Sequence, residues 1–172
     1  MALTASITAA LTAVQTGSND FDGDKFAPAM RKTISLTDGT GANQADILFM
    51  DQRSVASASN DDIDLYGSLT DAFGTTVSAA EIVAIFIVNG PISGSANTTD
   101  LTIGAGSNPF VGFLGGTTPT IGPIKPGGMF MIGAGDAAGI GTVTATTADI
   151  LRVANSSGAT ATYQIGIIAR SA

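Results

Sequence analysis

Glu81–Asn89 reads EIVAIFIVN, and the unbroken apolar run inside it, Ile82–Val88, decides the class of fold. The run is far short of the roughly 20 residues a helix needs to cross a bilayer. Its residues are apolar on both faces of an extended chain, so it reads as a central strand covered on both sides, or as a strand with one face in a subunit contact. The sequence around it follows the same pattern, with short apolar runs broken by turn residues. Thr33–Thr37 is followed by DGTG at Asp38–Gly41, where Asp bonds its own backbone and Gly accepts positive φ. Ala45–Met50, Ile63–Tyr66, Asp100–Ile103, Met129–Ile132, Gly141–Ala145, Ile150–Ala154 and Thr162–Ala169 complete a set of nine expected strands. The expectation is a single all-β domain, a β-sandwich or jelly roll, with one helical turn over Val77–Glu81. No repeat of fixed period supports a propeller or solenoid.

Composition narrows the functional classes. The 172 residues contain no histidine, cysteine or tryptophan, and Glu81 is the sole glutamate. Most side chains that move protons, hold metals or form covalent intermediates are therefore missing, and the expectation is a protein that is not an enzyme and carries no cofactor or metal. Hydrophobic residues make up 44% and charged residues 12%, which places the chain among folded rather than disordered sequences. Seven Lys and Arg against fourteen acids give a net charge of -7, which opposes binding to a phosphate backbone. Nucleic acid is not an expected partner, and neither is a membrane. The N-terminal MALTASITAALTAVQTGSND has no basic stretch ahead of an apolar core, so it does not read as a signal peptide.

That N-terminal segment fits two templates. Leu3, Ile7, Leu11 and Val14 recur at helical spacing, while Leu3, Ala5, Ile7, Ala9 and Leu11 alternate with Thr and Ser. The many β-branched Thr residues and the lack of Glu, Lys or Arg favour an extended arm or edge strand. The chain divides accordingly into an arm and loop at 1–30 and a β-sandwich domain at 31–172. Lys25, Arg31 and Lys32 lie within eight residues, either as a solvated loop or as a docking spot on an acidic neighbour. Asp20, Asp22 and Asp24 alternate around Gly23, but the glycine comes too early and no glutamate follows for an EF-hand, so they read as ordinary loop acids.

Two Gly-rich stretches, GAGSNPFVGFLGG at Gly104–Gly116 and GAGDAAGIG at Gly133–Gly141, read as long irregular loops. Phe110, Val111, Phe113 and Leu114 place large apolar groups on the first, as an oligomer or partner contact or as a loop folded back over its own core. Asp61, Asp62 and Asp64, with Glu81, are the carboxylates a hydrolase would need, and Asp62 and Asp64 share a strand face. No aromatic sugar platform accompanies them, and turn, cap or rim roles account for them more simply. Asp149 and Arg152 read as a surface pair.

Five stretches resemble small structural proteins of tailed bacteriophages and prophages: KTISLTDGTGANQAD at Lys32–Asp46, DIDLYGSLTDAFGTTVSAAEIVAIFIVN at Asp62–Asn89, PGGMF at Pro126–Phe130, TADILRVAN at Thr147–Asn155 and TYQIGIIARSA at Thr162–Ala172. Together they cover about two fifths of the chain. The resemblance implies a virion structural protein of the capsid decoration, or cement, type. Such a protein is made in the host cytoplasm, sits on the capsid exterior and contacts the major capsid protein. A homo-oligomer is expected, a trimer first. Leu3, Ile7 and Leu11 would anchor the arm on the capsid, and Lys25, Arg31 and Lys32 would orient docking. The competing readings are a tail or other virion component built from the same strands, and a carbohydrate-binding or lytic host-surface module.

Overall fold

The structure, a computed structural model, describes residues 2–18, 23–116 and 119–172. Among the described residues there are strands and no helix. They are β1 (Ala5–Thr12), β2 (Gln15–Thr16), β3 (Lys25–Phe26), β4 (Ala29–Leu36), β5 (Ile47–Val55), β6 (Asn60–Asp64), β7 (Tyr66–Thr70) and β8 (Thr76–Ser78). The rest are β9 (Glu81–Val88), β10 (Leu101–Gly104), β11 (Thr120–Ile124), β12 (Met129–Gly133), β13 (Gly141–Thr142), β14 (Ile150–Asn155) and β15 (Ala161–Arg170).

Two antiparallel sheets form the body. One runs β11-β10-β14-β6; the other runs β12-β9-β15-β5, with β13 also on β9. Alternation along each strand sends one set of side chains inward. Ile63, Leu101, Ile103, Leu151 and Val153 come from the first sheet, and Phe49, Ile85, Ile87, Ile165 and Ile167 from the second; all join one buried cluster. The fold is all-β with a sandwich-like arrangement of sheets. Burying each of those side chains contributes about 1.5–3 kcal/mol relative to exposure.

β9 shows why its sequence lacks alternation. Ile82, Ile85 and Ile87 point into the main core. The β15 ladder steps from Ile168↔Ala84 to Ala169↔Ile82, so Val83 is an extra residue in a bulge. Val83 instead joins a second cluster with Leu36 and Ala45, against which Leu3, Ala5, Ile7, Ile34 and Ile168 pack. Beyond that cluster the outer face of β9 is uncovered, and Phe86 is exposed. The strand is therefore central in its sheet, buried on one face and open along much of the other.

Two local expectations are corrected. Val77–Glu81 forms no helical turn, because β8 pairs with β7 and Val77 is buried in the core. β11, absent from the nine expected strands, contains Pro123; it lies at the edge of its sheet, the position that tolerates a residue without an N–H donor. Gly67 bends the chain: it has φ +108, and the β7–β8 register shifts beside it.

Candidate functional site

β1 and β4 pair over eight consecutive positions, from Ala5↔Leu36 to Thr12↔Ala29, and β2 pairs with β3 beyond them. The N-terminal segment is thus one half of a two-stranded ribbon. The alternating template holds over the helical one, since β-branched Thr favours the pleat. Thr8 and Thr33 reinforce the pairing through hydroxyls 3.0 Å apart, and Leu3 N donates to Asp38 Oδ1 at 2.8 Å.

The ribbon has two parts. At its base, Leu3, Ala5, Ile7 and Ile34 are half-buried against the body's second cluster. Farther out, every described residue from Thr8 to Thr33 is exposed except Pro28, which is half-buried. Leu11 is 58% exposed, Phe26 66% and Met30 70%. At about 3.3 Å per residue, the stretch from Ala9 to Thr16 reaches roughly 25 Å from the base. A lone two-stranded hairpin is marginally stable in water, and this one also presents apolar side chains to it.

This division corrects the expected anchors. Leu3 and Ile7 pack half-buried on the chain's own body, so they hold the ribbon's base. Leu11 is available, and its cross-strand partner Met30, to which no sequence pattern pointed, stands beside it. Lys25, Arg31 and Lys32 are all exposed on the ribbon and form no ion pair among the described residues. The other four cations are engaged. Arg53 pairs with Asp51 and Asp61, Lys125 with Asp100 and Arg152 with Asp62, while Arg170 donates to three backbone carbonyls.

The outer face of the β12-β9-β15-β5 sheet is the second exposed apolar surface. Register places Met131, Phe86, Gly166 and Met50 side by side across four strands, with Met129, Val88, Gln164 and Gln52 in the next row. Met50 is 71% and Met129 72% exposed. Gly166 has no side chain to fill the row, which leaves a trough between Phe86 and Met50. A groove of about 410 Å³ opens between this face and the ribbon base, lined by Ala5–Thr8, Leu48, Met50, Phe86, Met131 and Ile168 among others.

The Gly104–Gly116 loop is a different case. Phe110 is buried in the main core, and Phe113 packs against that core with ring centroids 5.9 Å from Phe110 and 5.7 Å from Phe130. Phe110 is therefore not exposed to a partner, and Phe113 is half-buried beside it: the loop folds back over its own core. Leu114 is half-buried in the same loop.

The carboxylates are tied into the scaffold. Asp61 accepts from Arg53 Nε at 2.7 Å, Arg53 Nη2 at 2.8 Å and Tyr163 Oη at 2.7 Å. Burial pushes the Asp61 carboxyl up, but the hydrogen bonds from Arg53 and Tyr163, with the Arg53 charge, outweigh it and hold the carboxyl below its ordinary value. Burial, with Asp61 beside it, raises the Tyr163 hydroxyl. Asp62 accepts from Arg152 Nε at 2.6 Å and Nη2 at 2.7 Å, so the expected Asp149–Arg152 pair is replaced by one across the β6–β14 ladder. Asp149 instead accepts from Thr146 N at 2.5 Å. Asp64 caps its own turn through Tyr66 N and Ser68 Oγ. Among the described residues no three acidic side chains converge on a point that could hold a metal ion. Asp20 and Asp22 lie outside the described residues.

The Asp61 cluster has a pH signature. Its folded pKa is below the unfolded value, so its stabilisation is complete above the ordinary carboxylate range and disappears as pH falls through the folded value. Asp61→Ala strips partners from Arg53 and Tyr163 together, and should cost about 2 kcal/mol at pH 7. Urea unfolding should show the gap from wild type narrowing toward pH 2; a gap independent of pH would mean that the charge contributes nothing.

Comparisons with protein-family models, with curated proteins and with solved structures return no match to this chain.

Proposed function

We propose that this chain is a capsid decoration protein of a tailed-phage head, which binds the shell of major capsid protein from outside and resists its separation. One observation carries the reading: a β-ribbon with exposed apolar side chains and three exposed cations, marginal by itself, stands off a body whose own cations are already engaged. A ribbon of that kind gains stability by lying on a neighbouring subunit. The stretches similar to phage structural proteins supply the neighbour's setting. The work is mechanical, since a stiff body touching several shell subunits raises the free energy needed to part them, and several weak contacts through one body reinforce each other. The sandwich supplies stiffness, while Leu11, Met30, Lys25, Arg31 and Lys32 on the ribbon supply reach and orientation.

Purified protein added to emptied heads should sediment with them and raise the temperature at which they come apart. Labelling on tails, or on neither head nor tail, would overturn the assignment.

A further inference from the structure

We propose that β5 pairs along its open edge with β5 of a second copy of this chain, antiparallel and about a twofold axis at Gln52, so that the two β12-β9-β15-β5 sheets become one. This goes beyond the decoration reading and does not depend on it.

β5 ends its sheet, and the ladder shows which of its backbone groups are unused. Ala169 O accepts from Asp46 N, while Thr162 N and O both bond Asn97, which in turn bonds Asn89 at the end of β9. Odd-numbered residues of β15 therefore turn their backbone groups toward β5, where the register sets them opposite Phe49, Asp51 and Arg53. Alternation then points the N–H and C=O groups of Leu48, Met50, Gln52 and Ser54 outward. Among the described residues no other backbone group bonds to them, and Gln52 and Ser54 make their bonds through side chains.

The edge has few of the devices that keep strands apart. It runs nine residues, pairs with β15 without a bulge and contains no proline or lysine. The other edges of the two body sheets are shorter or blunted: β11 holds Pro123 and a register shift, β6 has five residues of which three are aspartates, and β12 has five residues.

Asp51 and Arg53 are the only charges on β5, and they select both the occupant and the register. Within the chain, Arg53 gives Nε and Nη2 to Asp61 and reaches Asp51 only with Nη1, at 3.3 Å. A twofold axis at Gln52 sets Asp51 of each copy directly opposite Arg53 of the other, in a non-hydrogen-bonded pair where side chains come closest. An axis at Asp51 or at Arg53 sets like charges opposite each other. One at Met50 sets Asp51 against Phe49, and one at Ser54 sets Arg53 against Val55. The Gln52 axis makes the strand its own complement: Met50 meets Ser54, Gln52 meets Gln52 and Ser54 meets Met50, with about six main-chain hydrogen bonds. An edge with apolar residues opposite either charge would leave that charge unpaired, so the occupant is the second copy. The assembly is a twofold pair in place of the expected trimer, and it carries two ribbons.

The wild-type chain should sediment as a dimer. Met50→Pro should sediment as a monomer with an unchanged circular dichroism spectrum, because that N–H has no partner within its own chain. Asp51→Lys, at an exposed site, sets lysine opposite Arg53 twice per dimer and should raise the dissociation constant roughly tenfold, whether or not the proline variant folds. Single cysteines read the register, since the chain has none of its own. At Gln52 the two Cα atoms would lie about 5.5 Å apart, within disulfide reach. At Met50 they would be offset by roughly 13 Å along the strands. Under mild oxidation Gln52→Cys should therefore cross-link about tenfold faster than Met50→Cys. A wild-type monomer, an oligomer that Asp51→Lys leaves intact, or equal cross-linking at the two positions overturns the proposal. A dimer that binds no phage head supports edge pairing and refutes decoration; a monomer that coats heads does the reverse.

Discussion

Arg170→Ala is expected to cost about 3–5 kcal/mol, a large part of the 5–15 kcal/mol that holds a typical domain together. Arg170 is fully buried at the end of β15. Its guanidinium donates from Nε to Gln44 O at 2.8 Å, from Nη1 to Ala137 O at 2.7 Å and from Nη2 to Asp136 O at 2.8 Å. Those carbonyls belong to two loops, one before β5 and one before β13, so a single planar fork joins three distant parts of the chain. Alanine removes the one donor group shared by the three carbonyls and leaves a void where the buried side chain lay. Lysine restores the charge but concentrates its donors on one nitrogen, which cannot span the three carbonyls, so Arg170→Lys should recover less than half of the loss. Thermal unfolding should register the alanine variant about 10 °C below wild type. A drop of only a degree or two would show that water replaces the fork without penalty.

Removing the outer ribbon should abolish function and spare the fold. Replacing Ala9–Lys32 with a short Asn-Gly turn keeps the Thr8–Thr33 pair and the base residues Ala5, Ile7, Ile34 and Leu36 that pack on the body. No described residue of the deleted stretch is buried, so unfolding free energy should change by less than about 1 kcal/mol. Binding to emptied heads should fall at least tenfold, because the side chains with reach and the three ribbon cations leave together. Moderate salt should weaken the unaltered protein in the same direction, since the lost cations are exposed. Full occupancy by the shortened chain would sink the idea that the ribbon is the clasp.

Much of the body was legible in the sequence. Each of the nine expected strands overlaps an observed one, because period-two alternation and turn residues are local properties that burial on one face enforces. The doubly apolar run at Ile82–Val88 likewise announced a central strand with a second face to account for. The ribbon was half legible: alternation identified Ala5–Leu11 as extended, but nothing local marks Ala29–Leu36 as its partner. The Phe110 and Phe113 cluster gave no sign of direction, since an apolar group on a Gly-rich loop has the same sequence whether it turns in or out. The ion pairs were less visible still, because Asp62 chose Arg152 across the sheet, 90 residues away, over any nearer partner.

By itself, then, the sequence determined the strand vocabulary, the lack of histidine, cysteine and tryptophan and the clustering of Lys25, Arg31 and Lys32, since each depends on residue identity and short-range spacing. Only the tertiary structure decided that Leu3 and Ile7 face home while Leu11 and Met30 face out, that Arg170 lies buried as a fork, and that an apolar sheet face stays uncovered. Those outcomes depend on which segments meet across long loops, and that choice is made by packing of the whole chain against the entropy of closing it.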